Sequence, residues 1–105
     1  SYYDLDKSII FESKILSFLD INYYWRKEDK EIDGIIFENN KIVPIEIKYK
    51  REIKKEDLKN LEYFMKRYNI EKGFIIYLGE NKEINNIKLI NYIDIFYYGK
   101  DILIK

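Results

Sequence analysis

The chain has no cysteine and no histidine among its 105 residues, and these two absences exclude several kinds of chemistry. Without cysteine there is no disulfide, no thiolate ligand for zinc and no cysteine nucleophile. Without histidine, serine–histidine catalysis and histidine-based zinc sites are excluded as well. Any reaction that the chain catalyses must therefore depend on carboxylates, lysines, tyrosines or a metal.

The sequence also lacks long apolar runs and an excess of charge of one sign. No stretch of eighteen apolar residues is present and the first residues do not follow a signal-peptide pattern, so we expect a cytoplasmic protein without a membrane segment. Nineteen basic residues balance nineteen acidic ones, which argues against a generally basic surface for nucleic acid. A length of 105 residues is typical of a single domain with its own core.

Hydrophobic periodicity predicts an alternation of helices and strands. Helices are predicted over residues 5–19 and 55–68, and strands over residues 23–27, 31–38, 42–50 and 73–78. The remainder is predicted as a polar turn at 80–86 and short strands at 87–92, 95–98 and 101–104. The apolar run at 73–78 is typical of a strand buried on both faces, and the helix before it suits a β-α-β crossover. The sequence therefore predicts a single-domain α/β fold with a mixed sheet flanked by helices.

Two neighbouring predicted strands carry an unusual set of charges. Asp33 lies on the first of these strands, and Glu46 and Lys48 lie on the second. The second strand also contains Pro44, and proline fits a ladder only at a strand end or a sheet edge. Alternate residues of a strand share a face, so Glu46 and Lys48 lie together, and a hairpin brings Asp33 to them. Burying such charges costs several kcal/mol unless they are paired or bind a cation. The triplet indicates either a site for a hard divalent cation such as Mg²⁺ or an ordinary Glu46–Lys48 ion pair on a solvated face.

A third carboxylate interrupts the apolar stripe of the first predicted helix. Four residues form this stripe: Leu5, Ile9, Leu16 and Leu19. Glu12 occupies the position that continues the stripe at about 100° per residue. We therefore expect Glu12 to face the sheet and to reach the same site as the two strand carboxylates. The alternative is a glutamate that extends to water at the rim of the helix.

Cations are concentrated directly after the strand that carries Glu46 and Lys48. Residues 48–55 contain five cations and one acid. Beside a metal site, four of these cations would suit contacts with a phosphate backbone: Lys50, Arg51, Lys54 and Lys55. A solvated, lysine-rich loop explains the same residues.

Tyr24, Trp25 and Arg26 form an aromatic and basic segment on the first predicted strand. Strand-borne aromatics beside an arginine can stack on an unpaired base or bind a phosphate. Arg26 is therefore a further candidate for contact with nucleic acid. Core packing on one side of the strand and a solvated rim on the other is the alternative.

The order of a helix glutamate (Glu12), an aspartate (Asp33) and a Glu-x-Lys strand motif (Glu46 and Lys48) resembles the PD-(D/E)XK nuclease superfamily. Neighbouring segments resemble the nuclease-like domain at the C-terminus of archaeal AAA-type ATPases, at residues 24–26, 31–33, 43–48, 58–64 and 72–76. The resemblance extends from about residue 11 to residue 77. In one departure, the second predicted helix has Asn60 and Tyr63 or Phe64 where several nuclease branches have glutamine and tyrosine.

This resemblance implies a restriction-endonuclease-like α-β-β-β-α-β core and hydrolysis of phosphodiester bonds in nucleic acid, for which we expect DNA. It implies that Glu12, Asp33 and Glu46 hold Mg²⁺ or Mn²⁺ and that Lys48 assists the reaction. It also implies a P-loop ATPase domain upstream in a parent protein. This chain has no Gly-x-x-x-x-Gly-Lys motif, so we do not expect it to bind nucleotide in that manner itself. The alternative is a non-catalytic docking or regulatory module of such an ATPase, or a homodimerisation module.

Overall fold

The computed structural model describes the backbone of residues 2–105 and the side chains of residues 7–105. Over that part of the chain there are four helices and six strands. The helices are α1 (Tyr2–Phe18), α2 (Lys55–Tyr68), α3 (Tyr92–Tyr98) and α4 (Asp101–Ile104). The strands are β1 (Tyr23–Lys27), β2 (Lys30–Glu38), β3 (Lys41–Ile47), β4 (Gly73–Tyr77), β5 (Lys82–Ile84) and β6 (Ile87–Asn91).

The six strands form one mixed sheet in the order β1-β2-β3-β4-β6-β5. β1, β2 and β3 pair antiparallel, β4 pairs parallel with β3 and β6, and β5 pairs antiparallel with β6. Helix α2 connects β3 to β4, which forms the predicted β-α-β unit. All five residues of β4 are buried, which confirms a strand at the centre of the sheet. The fold is the predicted single α/β domain.

Helices cover both faces of the sheet. One face packs against α2, chiefly through Leu58 and Leu61, and is called the α2 face below. The other packs against α1, α3 and α4 through Ile15, Ile95 and Leu103, and is called the α1 face. A strand in the middle of the sheet therefore has an apolar layer on each side.

The predicted bounds are confirmed for β1 and α2, but the prediction for the last residues was wrong. Residues 95–98 and 101–104 are helical, and the segment 80–86 contains β5 as well as turns. Asn91 caps α3, because its side chain accepts a hydrogen bond from the Ile93 N–H at 2.9 Å. Gly99 ends the helix with a φ of 70°. These caps, and not the apolar pattern, determine that residues 92–98 are helical.

The apolar stripe predicted for α1 is confirmed only in part. Leu19 is buried and Leu16 is half-buried, but Ile9 is 50% exposed. Ile15, which the stripe omitted, is fully buried. The side chain of Leu5 lies outside the described residues. Neither α1 nor any other helix of the described chain is long and apolar enough to cross a membrane.

Pro44 lies in the middle of β3, a central strand, where it is opposite Ile35 of β2. The prediction of a strand end or sheet edge was therefore wrong for the antiparallel pairing. N–H groups alternate sides along a strand, and the Lys48 N–H donates to the Ile76 carbonyl of β4 at 2.9 Å. The Pro44 nitrogen consequently faces β4, whose pairing with β3 begins only at Ile45. Proline is tolerated because the parallel ladder has not yet begun.

Candidate functional site

The antiparallel pairing of β2 and β3 ends immediately before two carboxylates. The last pair in the register is Gly34 with Ile45. Beyond it, the Asp33 N–H donates to Glu46 Oε1 at 3.0 Å, and the Ile47 N–H donates to Asp33 Oδ2 at 2.8 Å. Two side chains thus take the place of backbone acceptors where the strands separate.

A β-bulge in β2 positions Asp33 next to α1. Two residues of β2, Asp33 and Gly34, lie opposite the single residue Tyr24 of β1, because the register shifts there. A Cβ atom on Gly34 would lie 3.0 Å from Ile21 Cγ2 and 3.1 Å from Leu16 Cδ2. The missing side chain therefore lets α1 and the segment after it approach the bulge closely.

Glu12 of α1 reaches this bulge and interacts with Asp33. The pKa of Glu12 is raised to about 7, first by partial burial and then by the charge of Asp33 and a hydrogen bond between the two carboxyl groups. The charge of Glu31 acts in the same direction, whereas Lys48 lowers the pKa. The structure therefore places Glu12 on the sheet, beside Asp33, and not at a solvated helix rim.

Glu46 is the one charged residue that is buried within the described part of the chain, with 2% exposure. Its pKa is raised to about 8 by burial and, to a smaller extent, by the charge of Asp33, while Lys48 and the Asp33 N–H act in the opposite direction. Lys48 Nζ lies 3.5 Å from Glu46 Oε2, and the lysine side chain is 28% exposed. An ion pair on a solvated face does not describe this arrangement, because the carboxylate is inside the protein.

Glu12, Asp33 and Glu46, together with Lys48, are called the carboxylate cluster below. Their carboxyl oxygens are the kind of ligand that a hard divalent cation binds. Asp33 and Glu46 each accept a backbone N–H with one oxygen, and the second oxygen of Glu46, Oε2, lies 3.5 Å from Lys48 Nζ. Within the described residues, no three acidic side chains are already arranged as a ligand group. Mg²⁺ usually takes one or two carboxylates and completes its shell with water and phosphate, so it does not require one. Because burial raises the pKa values of Glu12 and Glu46, a bound cation would favour the charged forms of these carboxyl groups.

The predicted contacts for nucleic acid differ in their availability. Lys50 Nζ binds both carboxylate oxygens of Asp57, at 2.9 and 3.0 Å, so its charge is already paired. Arg26 forms an exposed ion pair with Glu31 at 2.9 Å. Three cations are exposed and form no ion pair within residues 7–105: Arg51, Lys54 and Lys55.

Two residues that shape this region, Gly34 and Asp57, were not predicted from the sequence. A glycine inside an apolar strand is a signal for a bulge or for close approach of another element. Asp57 accepts the Lys54 N–H at 2.8 Å at the start of α2 and also holds Lys50. An acid three positions after the residue that precedes a helix is a signal for such a capping contact.

A family model for a domain of unknown function, DUF4143, matches residues 14–97. The chain belongs to this family. The matched segment includes Asp33, Glu46 and Lys48 and begins two positions after Glu12. Searches among curated proteins and solved structures found no significant match. Membership of the PD-(D/E)XK superfamily stays a prediction, based on the order and placement of these four residues.

Proposed function

We propose that this DUF4143 domain is a metal-dependent nuclease that hydrolyses phosphodiester bonds of nucleic acid, DNA above all, in the cytoplasm. The observation that carries the proposal is the burial of Glu46 beside Asp33, which also interacts with Glu12, together with the 3.5 Å distance from Glu46 Oε2 to Lys48 Nζ. Placing acidic groups together inside a protein is unfavourable for folding, so such clusters are typical of functional sites.

The four residues of the cluster have separate roles in this proposal. Glu12, Asp33 and Glu46 would hold Mg²⁺ or Mn²⁺, which supplies Lewis acidity toward a phosphate when it is bound. The hydrogen bonds from the Asp33 and Ile47 N–H groups hold two of these carboxylates in place before substrate arrives. The partly exposed ammonium group of Lys48 orients the attacking water and stabilises negative charge that develops on the phosphate.

The loop between β3 and α2 provides a surface for the substrate backbone. Arg51 and Lys54 lie on this loop, Lys55 begins α2, and all three are exposed. A phosphodiester bound at the carboxylate cluster would extend across this loop. Cations of this kind contact phosphates and position the substrate without reading its sequence.

The test is a cleavage assay on plasmid and oligonucleotide substrates with Mg²⁺, Mn²⁺ or EDTA. We expect cleavage only with metal, and Asp33→Asn should lower the rate about a hundredfold through loss of transition-state stabilisation. Glu52→Gln, an exposed change on the adjacent loop, is the matched control and should not alter the rate. A folded protein that cleaves no substrate with either metal, or equal rates for the Asp33→Asn variant and the parent, would contradict the proposal.

A second candidate function, the docking or regulatory module, is favoured by an exposed aromatic surface. The ring centroids of Phe18 and Phe96 are 4.9 Å apart, yet these two residues are 49% and 40% exposed. Ile93 and Tyr97 of the same helix as Phe96 are 58% and 79% exposed. Monomeric proteins seldom expose large contiguous apolar patches. DUF4143 domains are often found with AAA ATPases, so an ATPase domain or a second copy is the partner in this alternative.

Light scattering on the parent and on a Phe18→Ser/Phe96→Ser variant separates the two candidates. A dimer that this variant dissociates, combined with no metal-dependent cleavage, would support the module. Cleavage by a monomer that the variant leaves unchanged would support the nuclease.

A further inference from the structure

A cavity of about 540 Å³ lies at the end of the sheet opposite the carboxylate cluster. It is bordered by β3, β4 and β6 near the start of each strand, by α4 and by the turn after α2. Lys41 at its rim and Glu46 are five positions apart on β3, which corresponds to about 17 Å. Its floor is apolar and includes Val43, Phe74 and Leu103. A volume of this size is typical of sites for small molecules.

Lysines from four different parts of the chain meet at this cavity. They come from β3, the turn before β4, β6 and the residue after α4: Lys41, Lys72, Lys88 and Lys105. Two acids, Glu38 and Glu71, also line it, so four positive and two negative side chains give an excess of two positive charges. Among the described residues, only the last of the four lysines forms an ion pair, with Asp101. The other three have no carboxylate partner in that part of the structure.

Lys88 distinguishes this cavity from an ordinary surface groove. Its register partner on β4 is Phe74, which belongs to the core of the α1 face. Ile90, the next β6 residue on that face, is 7% exposed, whereas Lys88 is half-buried. A lysine therefore occupies a position on the covered face of the sheet, where its stem adds to the apolar floor. Its ammonium group is available to a ligand that enters from the mouth.

The geometry points to a binding site for a small organic anion with an apolar body. The body lies on the apolar floor, and the negatively charged end lies among Lys41, Lys72 and Lys88. The apolar floor alone is too small to be a docking surface, and lysines alone on a surface do not bind one anion specifically. The two together favour a ligand that has both an apolar and an anionic part. This inference is independent of the proposed nuclease activity, since no residue of the cavity belongs to the carboxylate cluster.

The test uses two probes of the same ring system, 1-anilinonaphthalene-8-sulfonate and the uncharged N-phenyl-1-naphthylamine, with binding followed by fluorescence. A Lys41→Gln/Lys72→Gln/Lys88→Gln variant should bind the sulfonate about tenfold more weakly, since three charge contacts are lost, and should bind the uncharged probe as the parent does. The matched control removes equal charge at exposed positions outside the cavity: Lys14→Gln/Lys59→Gln/Lys82→Gln. It should leave both affinities unchanged.

Amide NMR shows where the sulfonate binds and that the variants are folded. Shifts on titration should be largest at Val43, Phe74, Lys88 and Leu103. The inference is overturned if binding does not saturate, if both triple variants lose equal affinity, or if the shifts centre on Phe18 instead.

Discussion

The centre of the sheet and the end where β2 and β3 separate differ in what they bury. β4 has strand partners on both sides, and its five residues are buried and uncharged. Where β2 and β3 separate, the side chains of Asp33 and Glu46 serve as the partners of backbone N–H groups. The difference shows that this protein places carboxyl groups at the point where its backbone ladder is interrupted, because freed N–H groups are available to bind them.

The largest effect on stability is expected from a substitution that removes a buried side chain from β4. Ile75 of β4 is fully buried and lies in register with Glu46. Ile75→Ala should lower the free energy of unfolding by about 3 kcal/mol in a urea titration. Ile10→Ala, at a 52% exposed position, should change it by less than about 0.5 kcal/mol. Similar values for the two variants would contradict the description of β4 as the centre of the core.

A substitution beside Glu46 should instead lower the cleavage activity and leave the stability unchanged. Lys48→Ala should lower the cleavage rate about a hundredfold, because one group that stabilises the transition state is lost. The midpoint of thermal unfolding should stay that of the parent. Lys59→Ala, an exposed change on α2, controls for the loss of a positive charge. A Lys48→Ala variant that unfolds would identify the lysine as a structural partner of Glu46.

The pH dependence of stability should distinguish the two regions further. The pKa values of Glu46 and Glu12 are raised to about 8 and about 7, chiefly by burial, so the native state binds protons that the unfolded state releases. The free energy of unfolding in EDTA should therefore fall as pH rises from about 5 to about 8. A Glu12→Gln/Glu46→Gln variant should lose most of this slope, whereas Glu52→Gln should retain it. The measurement is a urea titration at about pH 5 and at about pH 8. If the free energy of unfolding changes equally between these pH values in the parent and in both variants, the explanation is refuted.

A smaller effect is expected at the start of α2, which adjoins both regions. Asp57 accepts the Lys54 N–H and holds Lys50, and although burial opposes them, these hydrogen bonds keep the pKa of Asp57 below its usual value. Asp57→Ala should lower the free energy of unfolding by about 1 kcal/mol, as measured by urea titration. Glu56→Ala, its exposed neighbour in the first turn, should have little effect. Equal losses in the two variants would show that Asp57 is not the cap.

Strong periodic patterns were sufficient to predict the bounds of β1 and α2 and the burial of β4. The spacing of Asp33, Glu46 and Lys48 was sufficient to predict that they meet. The bulge that positions Asp33 was not predicted, since it depends on how closely α1 packs on Gly34, which is a tertiary contact. Residues 95–98 and 101–104 were predicted as strands because apolar residues in short segments suit both structures. In α3, the cap formed by Asn91 favours the helix.

The most direct test of the central claim, that Glu12, Asp33 and Glu46 form one cation site, is paramagnetic broadening of amide NMR signals by Mn²⁺ below one equivalent. We predict that the signals of Asp33 and Ile47 disappear first, while those of residues 102–105, at the opposite end of the sheet, persist longest. The same titration of a Glu46→Gln variant should require much more Mn²⁺ for equal broadening. Broadening that begins at another acidic surface, such as residues 80–83, and is identical in the variant would contradict the claim.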